Sequence, residues 1–282
     1  MAETLSEYLA EVQRVRSQWK VPDHRELWFR AEDQKHEETR LQPSLYRPRT
    51  GKKRKRIGEL LKLENDLYKE FGRCGTQLSN ESFADDEDWE PYFMMQHHGV
   101  PTRLLDWSDG ALIALHFAAG RKTATSESGS VVHVLDAWWL VDLLEAHDDQ
   151  KKAIARWRKY NKRHPHDTYE DDWERLYLPM DIGEEEEPLL ATPRIPLLWD
   201  SPHVSRRVAA QRSRFMIFGT DPLWLSKLAR QKRSRIVPIE IPASSIAEIK
   251  RELRDAGITE SVVYPDLDGL GRELKQVWEA RR

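Results

Sequence analysis

Residues 96–119 read QHHGVPTRLLDWSDGALIALHFAA, and the order of polar and apolar residues there decides how the rest of the chain is read. Gln96, His97, His98, Thr102, Arg103, Asp106, Trp107 and Ser108 crowd into thirteen positions. An apolar run with helical spacing follows at once through Ala111, Leu112, Leu115, Ala118 and Ala119. Gly99 permits backbone angles closed to other residues, and Pro101 pushes Val100 towards an extended conformation. The stretch therefore reads as a tight turn, a short extended segment over 102–105 and a helix over 109–120, with Asp106 or Ser108 as N-cap. Polar residues this dense cost free energy if they only fill space, because a buried Arg or Asp must be paired. Two readings follow. Either an Arg103–Asp106 pair and a cap hold the core, or the cluster is a binding site. Taken whole, the cluster favours the site.

Upstream, residues 3–19 form an amphipathic helix that Thr4 or Ser6 can cap, with Leu5, Leu9, Val12 and Trp19 near helical spacing. Residues 26–30 (ELWFR) alternate as a strand, with Leu27 and Phe29 on one face and Trp28 and Arg30 on the other. Arg30 beside Glu32 is either salt-bridged or aimed into a cleft. A helix is expected over 57–72, ended by Gly72 or Gly75. Glu64 lies near its apolar stripe and faces Arg30 or Arg103, or is a surface charge. The acidic run 85–90 opens a further helix over 86–97, since carboxylates favour the positive end of the helix dipole.

Downstream, strands are expected near 130–135, 215–218, 236–241 and 262–264. Helices are expected within 137–161, over 244–256 and over 270–281. Residues 168–200 look irregular, with prolines at 188, 193 and 196. Basic tracts at 52–56 and 156–163 would attract a polyanion, although such tracts are more often solvated faces. His164 and His166 with Asp167 are weak evidence for zinc, and no metal site is expected.

The balance of 39% hydrophobic and 33% charged residues is that of a globular chain. A net charge of −3 gives no global signal for nucleic acid or membrane. The single cysteine, Cys74, excludes an internal disulfide framework. No apolar run approaches membrane-spanning length and the N-terminus lacks a signal-peptide core, so a cytoplasmic protein is expected. There is no GxSxG elbow, P-loop, HExxH or GxGxxG motif.

QHHGVPTRLLDWS at 96–108 resembles the signature of the FRG domain family, named for an aromatic-Arg-Gly tripeptide near its start. That tripeptide is Phe29-Arg30-Ala31 here, with alanine in place of glycine. LQPSLYR at 41–47, RRVAAQRSRF at 206–215 and VVYPDLDGLG at 262–271 match further pieces of the family in order. The resemblance implies one FRG-type domain over 1–282, with a core of about 24–220, the helix 3–19 before it and a strand–helix extension over 233–282.

A more distant similarity links the chain to ADP-ribosyltransferases of the arginine-serine-glutamate type. In that comparison Arg30 matches the early-strand arginine. Thr102 to Ser108 with the helix 114–118 (ALHFA) resembles the second element, and Gln211 with Phe215 falls where the third should be. The similarity implies NAD as substrate. Arg30 would clamp phosphates, Trp107 or Tyr46 would wall the nicotinamide, and a carboxylate would stabilise the oxocarbenium ion. Ser213 stands where the glutamate belongs, so either Asp106 or Glu64 supplies the charge, or the reaction is absent and only a ligand pocket survives. The fold implied is α+β, a small bent mostly antiparallel sheet of the split transferase kind with flanking helices.

Arg30, Arg103, Asp106 and Gln211 are the candidate catalytic residues. Glu32, Tyr46, Arg47, His97, Thr102, Trp107, Ser108 and Phe215 are candidates for substrate binding. Three functions compete: an NAD-using transferase or glycohydrolase of the kind found in toxins and antiviral defence, acting on a nucleic-acid or protein acceptor; a non-catalytic nucleotide- or nucleic-acid-binding module; and a structural protein.

Overall fold

Alternation along Leu27, Trp28, Phe29 and Arg30 sends successive side chains to opposite faces. The strand that forms, β1 (Leu27–Asp33), lies inside the sheet with a different apolar layer on each side. The computed structural model describes residues 1–33, 40–48, 53, 55–78, 89–120, 128–163, 172–179, 192–199 and 206–281. Around β1 the sheet takes in β2 (Leu104–Ser108), β3 (Ser130–Asp136), β4 (Leu197–Trp199), β5 (Ser213–Ile217) and β6 (Ile236–Ile241). The order is β4-β5-β2-β1-β3-β6 and every neighbouring pair is antiparallel. This is the expected α+β class.

β1 runs in register with β3 from Leu27↔Asp136 to Asp33↔Ser130, but meets β2 at a single pair, Phe29↔Ser108. The described strands thus form one continuous sheet, narrowed at the β1–β2 joint, rather than the split pair implied by the transferase similarity. One layer packs α1 (Leu5–Trp19), α4 (Ala111–Gly120) and α9 (Ile246–Asp255) on Leu27, Phe29, Val132, Val134 and Ile239. The opposite layer sets α5 (Ala137–Glu145), α8 (Trp224–Ala229) and the start of α2 (Ile57–Leu78) against Trp28, Leu105, Trp107, Leu135 and Met216. A third cluster seats α3 (Trp89–His97) on Leu104, Phe215 and Ile217. α6 (Asp148–Arg163) packs through Ala153 and Trp157 on Leu176 of the 3-10 turn Trp173–Tyr177. Three helices complete the described chain: α7 (Arg206–Ala210), α10 (Glu260–Val263) and α11 (Leu267–Ala280).

Local chemistry sets the key boundaries. Thr4 caps α1, its Oγ1 accepting the Glu7 amide at 3.2 Å. α3 ends in a Schellman motif: the Val100 amide donates to the Met95 carbonyl at 2.9 Å and the Gly99 amide to that of Gln96 at 3.1 Å. Gly99 sits there at φ 77°. Ser108 Oγ accepts the Gly110 amide at 3.0 Å just ahead of α4, a local turn two residues long rather than the N-cap expected of Ser108 or Asp106.

Several expectations need correction. Residues 262–264 are not a strand: Val263 closes α10, because its amide and that of Tyr264 donate back to Thr259 and Glu260. Within 168–200 the described residues 172–179 and 192–199 hold the 3-10 turn and the edge strand β4 rather than irregular chain, and the rest of that segment lies outside the described residues. Gly72 and Gly75 do not end α2, which runs on to Leu78. Glycine weakens a helix by about 1 kcal/mol but does not break it. The extended segment of the central motif is 104–108 rather than 102–105. Lys52 and Arg54, the acidic residues 85–88, and His164, His166 and Asp167 lie outside the described residues.

Candidate functional site

The narrow joint opens a cleft of about 160 Å³. Phe29 and Ala31 of β1, Asp106 and Ser108 of β2, and Ser213 and Phe215 of β5 line its floor. Phe93, Met94, Gln96 and His97 of α3 form one wall, and Phe117 of α4 with Tyr264 forms another. Arg207, Val208 and Gln211 close the remaining side. Arg30 and Asp106 meet directly, the guanidinium Nη1 donating to the Asp106 carbonyl at 2.6 Å.

Each polar group at the cleft is held from behind. Arg30 Nε donates to Glu32 Oε1 at 3.0 Å. Glu32, almost fully buried, also receives Arg47 Nη2 at 2.8 Å and the Leu41 amide at 2.9 Å, with His133 Nε2 at 3.6 Å. Burial alone would push the Glu32 carboxyl up. Arg30, His133 and the Leu41 amide outweigh that and hold it well below the usual carboxylate range. Residues 41–47 therefore serve the site indirectly, by fixing the carboxylate that aims Arg30.

Asp106 is solvent-exposed, and both its oxygens accept from Gln96 Nε2, at 3.0 and 2.9 Å. The Gln96 amide is itself oriented by Thr102, whose hydroxyl donates to Gln96 Oε1 at 2.6 Å and accepts the Leu104 amide at 3.1 Å. His97 beside them is held neutral: burial first, then Arg207 and His98, lower its pKa below 6.5. Tyr264 packs edge-on to Phe117 and lies between two guanidiniums, Arg207 at 4.8 Å and Arg272 at 4.7 Å from its ring.

Not every candidate residue reaches the cleft. Arg103 is 1% exposed in the core, where Glu64 is fully buried with it. Arg103 Nε donates to Glu64 Oε2 at 2.5 Å and its amide to Glu64 Oε1 at 2.8 Å. Its terminal nitrogens go to the carbonyls of Phe218 and Tyr177, and Tyr92 donates its hydroxyl to Glu64 at 2.6 Å. The Arg103–Asp106 pair does not form, and Glu64 is neither a surface charge nor a group of the cleft. Tyr46 is buried against the Gly219 carbonyl at 2.6 Å, so it does not wall the cleft. Thr102, Glu32 and Arg47 stand behind the lining. Arg30, Asp106, His97, Trp107, Ser108, Gln211 and Phe215 line the cleft, Trp107 from the floor with its ring in the opposite layer. Gln211 spends its amide on the Val263 carbonyl at 3.3 Å and receives Ser108 Oγ at its own carbonyl at 2.7 Å.

Phe117, Arg207 and Tyr264 were missed as site residues, and Gln96, part of the central cluster, was given no role of its own. A signal for them existed, since Gln96, Arg207 and Tyr264 each fall inside a stretch quoted above for its family resemblance. Stretches far apart in sequence converge because α3, α7 and α10 all border the same joint.

Among the described residues, no group of three or more His, Cys, Asp or Glu side chains is arranged to hold a metal ion. No described helix is long and apolar enough to cross a membrane.

Fold and cleft together define an α+β protein whose antiparallel sheet opens a polar, aromatic-walled cleft at its narrowest joint. Residues 25–127 match the FRG domain, which is the family this part of the chain is similar to. That match spans β1, α2, α3, β2 and α4 and ends before β3. Comparison with curated proteins and with solved structures gave no match.

Proposed function

We propose that the cleft binds a nucleotide of the NAD type and breaks its N-glycosidic bond, with Asp106 as the charged group beside the reacting carbon. In this reaction the C1′–N bond breaks and its electron pair leaves with the nicotinamide nitrogen, neutralising the ring. The ribose is left with oxocarbenium character that a carboxylate stabilises. Water or an acceptor then adds at C1′ and releases a proton. Among the described residues Asp106 is the only carboxylate lining the cleft, and Ser213 leaves the usual glutamate position empty of charge.

The reading rests on a positioned carboxylate, held at both oxygens by Gln96, facing a ring-sized aromatic cleft beside the Arg30 guanidinium. A cavity of about 150 Å³ holds a benzene ring, so the cleft encloses one heterocycle and leaves the phosphates at its mouth. Among the described residues Arg30 Nη2 makes no hydrogen bond and Arg207 forms no ion pair, which leaves both guanidiniums able to take phosphate oxygens.

The test is NAD consumption by purified protein, with and without cell lysate, alongside Asp106→Asn and Arg30→Ala variants checked for folding. Turnover reduced about 100-fold or more in folded Asp106→Asn is the expected outcome, the scale of losing one preorganised transition-state group. Absence of turnover and of any NAD-dependent thermal shift would sink the proposal. A second reading, nucleotide binding without cleavage, is favoured by one observation: both Asp106 oxygens already accept from Gln96. A thermal shift without turnover would select it.

A further inference from the structure

α6 carries a cationic face that the cleft does not use. Lys151, Lys152, Arg158, Lys159, Lys162 and Arg163 are all exposed. At about 100° per residue they fall within one arc of the helix. None of the six forms an ion pair or a side-chain hydrogen bond among the described residues, although ion pairs are common elsewhere on the surface.

This arrangement is unfavourable for the helix itself. Arg158 with Lys162 and Lys159 with Arg163 are like-charge pairs four residues apart, each destabilising by a few tenths of a kcal/mol. The helix dipole rewards cations in the last turn, which accounts for Lys162 and Arg163 alone. It does not account for Lys151 and Lys152 near the N-terminal end or for Arg158 and Lys159 in the middle.

We propose that this face of α6 is a docking surface for the sugar–phosphate backbone of a nucleic-acid duplex. A polyanion laid along the helix removes the self-repulsion and meets cations with which no described carboxylate pairs. The pairs 151/152, 158/159 and 162/163 are spaced about 10 and 6 Å along the axis at 1.5 Å per residue, so one straight helix presents three successive doublets. An anionic membrane is a poorer partner. A helix lying in a bilayer surface buries its apolar side in lipid, whereas the apolar side of α6 is already packed, Ala153 and Trp157 lying against Leu176. A single strand is also a poorer fit, because such sites supply aromatic platforms for the bases and the rings of α6, Trp157 and Tyr160, stack on each other at 5.8 Å away from that face. The surface is separate from the cleft and does not depend on the function assigned there.

The experiment measures binding of the full chain to a labelled DNA duplex of about 20 base pairs, from about 50 to 200 mM salt. With most of the six cations engaged, affinity should fall about 1000-fold over that range, a log–log slope near −5. The triple variant Lys159→Gln/Lys162→Gln/Arg163→Gln should bind more weakly and lose about half of the slope, with an unchanged or raised thermal midpoint. Lys151→Gln/Lys152→Gln tests the other end of the stripe if the triple variant does not fold. Lack of binding at low salt would overturn the proposal, as would wild-type affinity in both variants. So would loss of binding on neutralising residues 52–56 but not α6, tighter binding to a single strand of equal length, or preference for phosphatidylserine vesicles over the duplex.

Discussion

Arg103 shows how far a residue's role depends on what surrounds it. Each of its three guanidinium nitrogens donates, to Glu64 or to a backbone carbonyl, and it ties α2, the start of β2 and the 3-10 turn 173–177 to one point. Removing either partner strands a charge in the core. Arg103→Ala and Glu64→Ala should each destabilise the protein by about 3–5 kcal/mol, the cost of orphaning a buried ion. Denaturant unfolding measures this, and a loss below about 1 kcal/mol would mean that water or rearrangement rescues the partner. Asp106, three residues on, is exposed and held by Gln96. Its replacement should cost activity and little stability. The motif thus divides its polar residues between a structural ion pair and a cleft.

At the scale of elements, the chain between α3 and β2 sets the geometry of the cleft. The Schellman turn at Gly99 reverses the backbone so that Gln96 at the helix end and Asp106 in the strand come within hydrogen-bond reach. Gly99 has φ 77°, and a Cβ there would touch nothing within 4 Å. Gly99→Ala therefore suffers backbone strain alone, about 1–2 kcal/mol. Thermal unfolding reads that cost. A functional loss larger than the stability loss would show that the turn also sets the Gln96–Asp106 contact. The joint between β1 and β2 acts at the same scale. A single residue pair in register leaves room for a guanidinium to bridge the strands.

For the whole molecule, buried titratable groups predict how stability follows pH. His97 and His116 both have lowered pKa values, burial being the main cause in each. Arg207 and His98 add to it for His97 against Asp106 and Asp266. Lys250 adds to it for His116 against Glu260. A depressed histidine binds fewer protons folded than unfolded, so its contribution is complete above its ordinary pKa of 6.5 and declines as pH falls through that value. Glu32 behaves differently. Its depressed carboxyl stabilises the fold above the usual carboxylate range, and that contribution is lost only in stronger acid. The thermal midpoint should therefore be flat from about pH 8 to 7 and fall as pH drops below about 6.5, with His116→Gln reducing the fall. A midpoint that rises on acidification through pH 6 would contradict the placement of both histidines.

Periodicity was legible without any structure. The alternation of ELWFR, the apolar stripe after Asp109 and the strand at 236–241 depend on local spacing, and so they placed β1, α4 and β6. The quoted motifs likewise marked stretches that meet at the cleft, because a binding surface gathers polar residues that a core would exclude. Partner choice was not legible. Glu64 lies 39 residues from Arg103, and nothing local distinguishes a carboxylate facing the core from one facing water. Val262 and Val263 have the branching of a strand, yet no described strand pairs with them, and helical hydrogen bonds satisfy that backbone instead. Local sequence determined most of the elements and which residues are available for chemistry. Tertiary structure decided which charges pair, because pairing follows from distance and burial, and folding alone sets those.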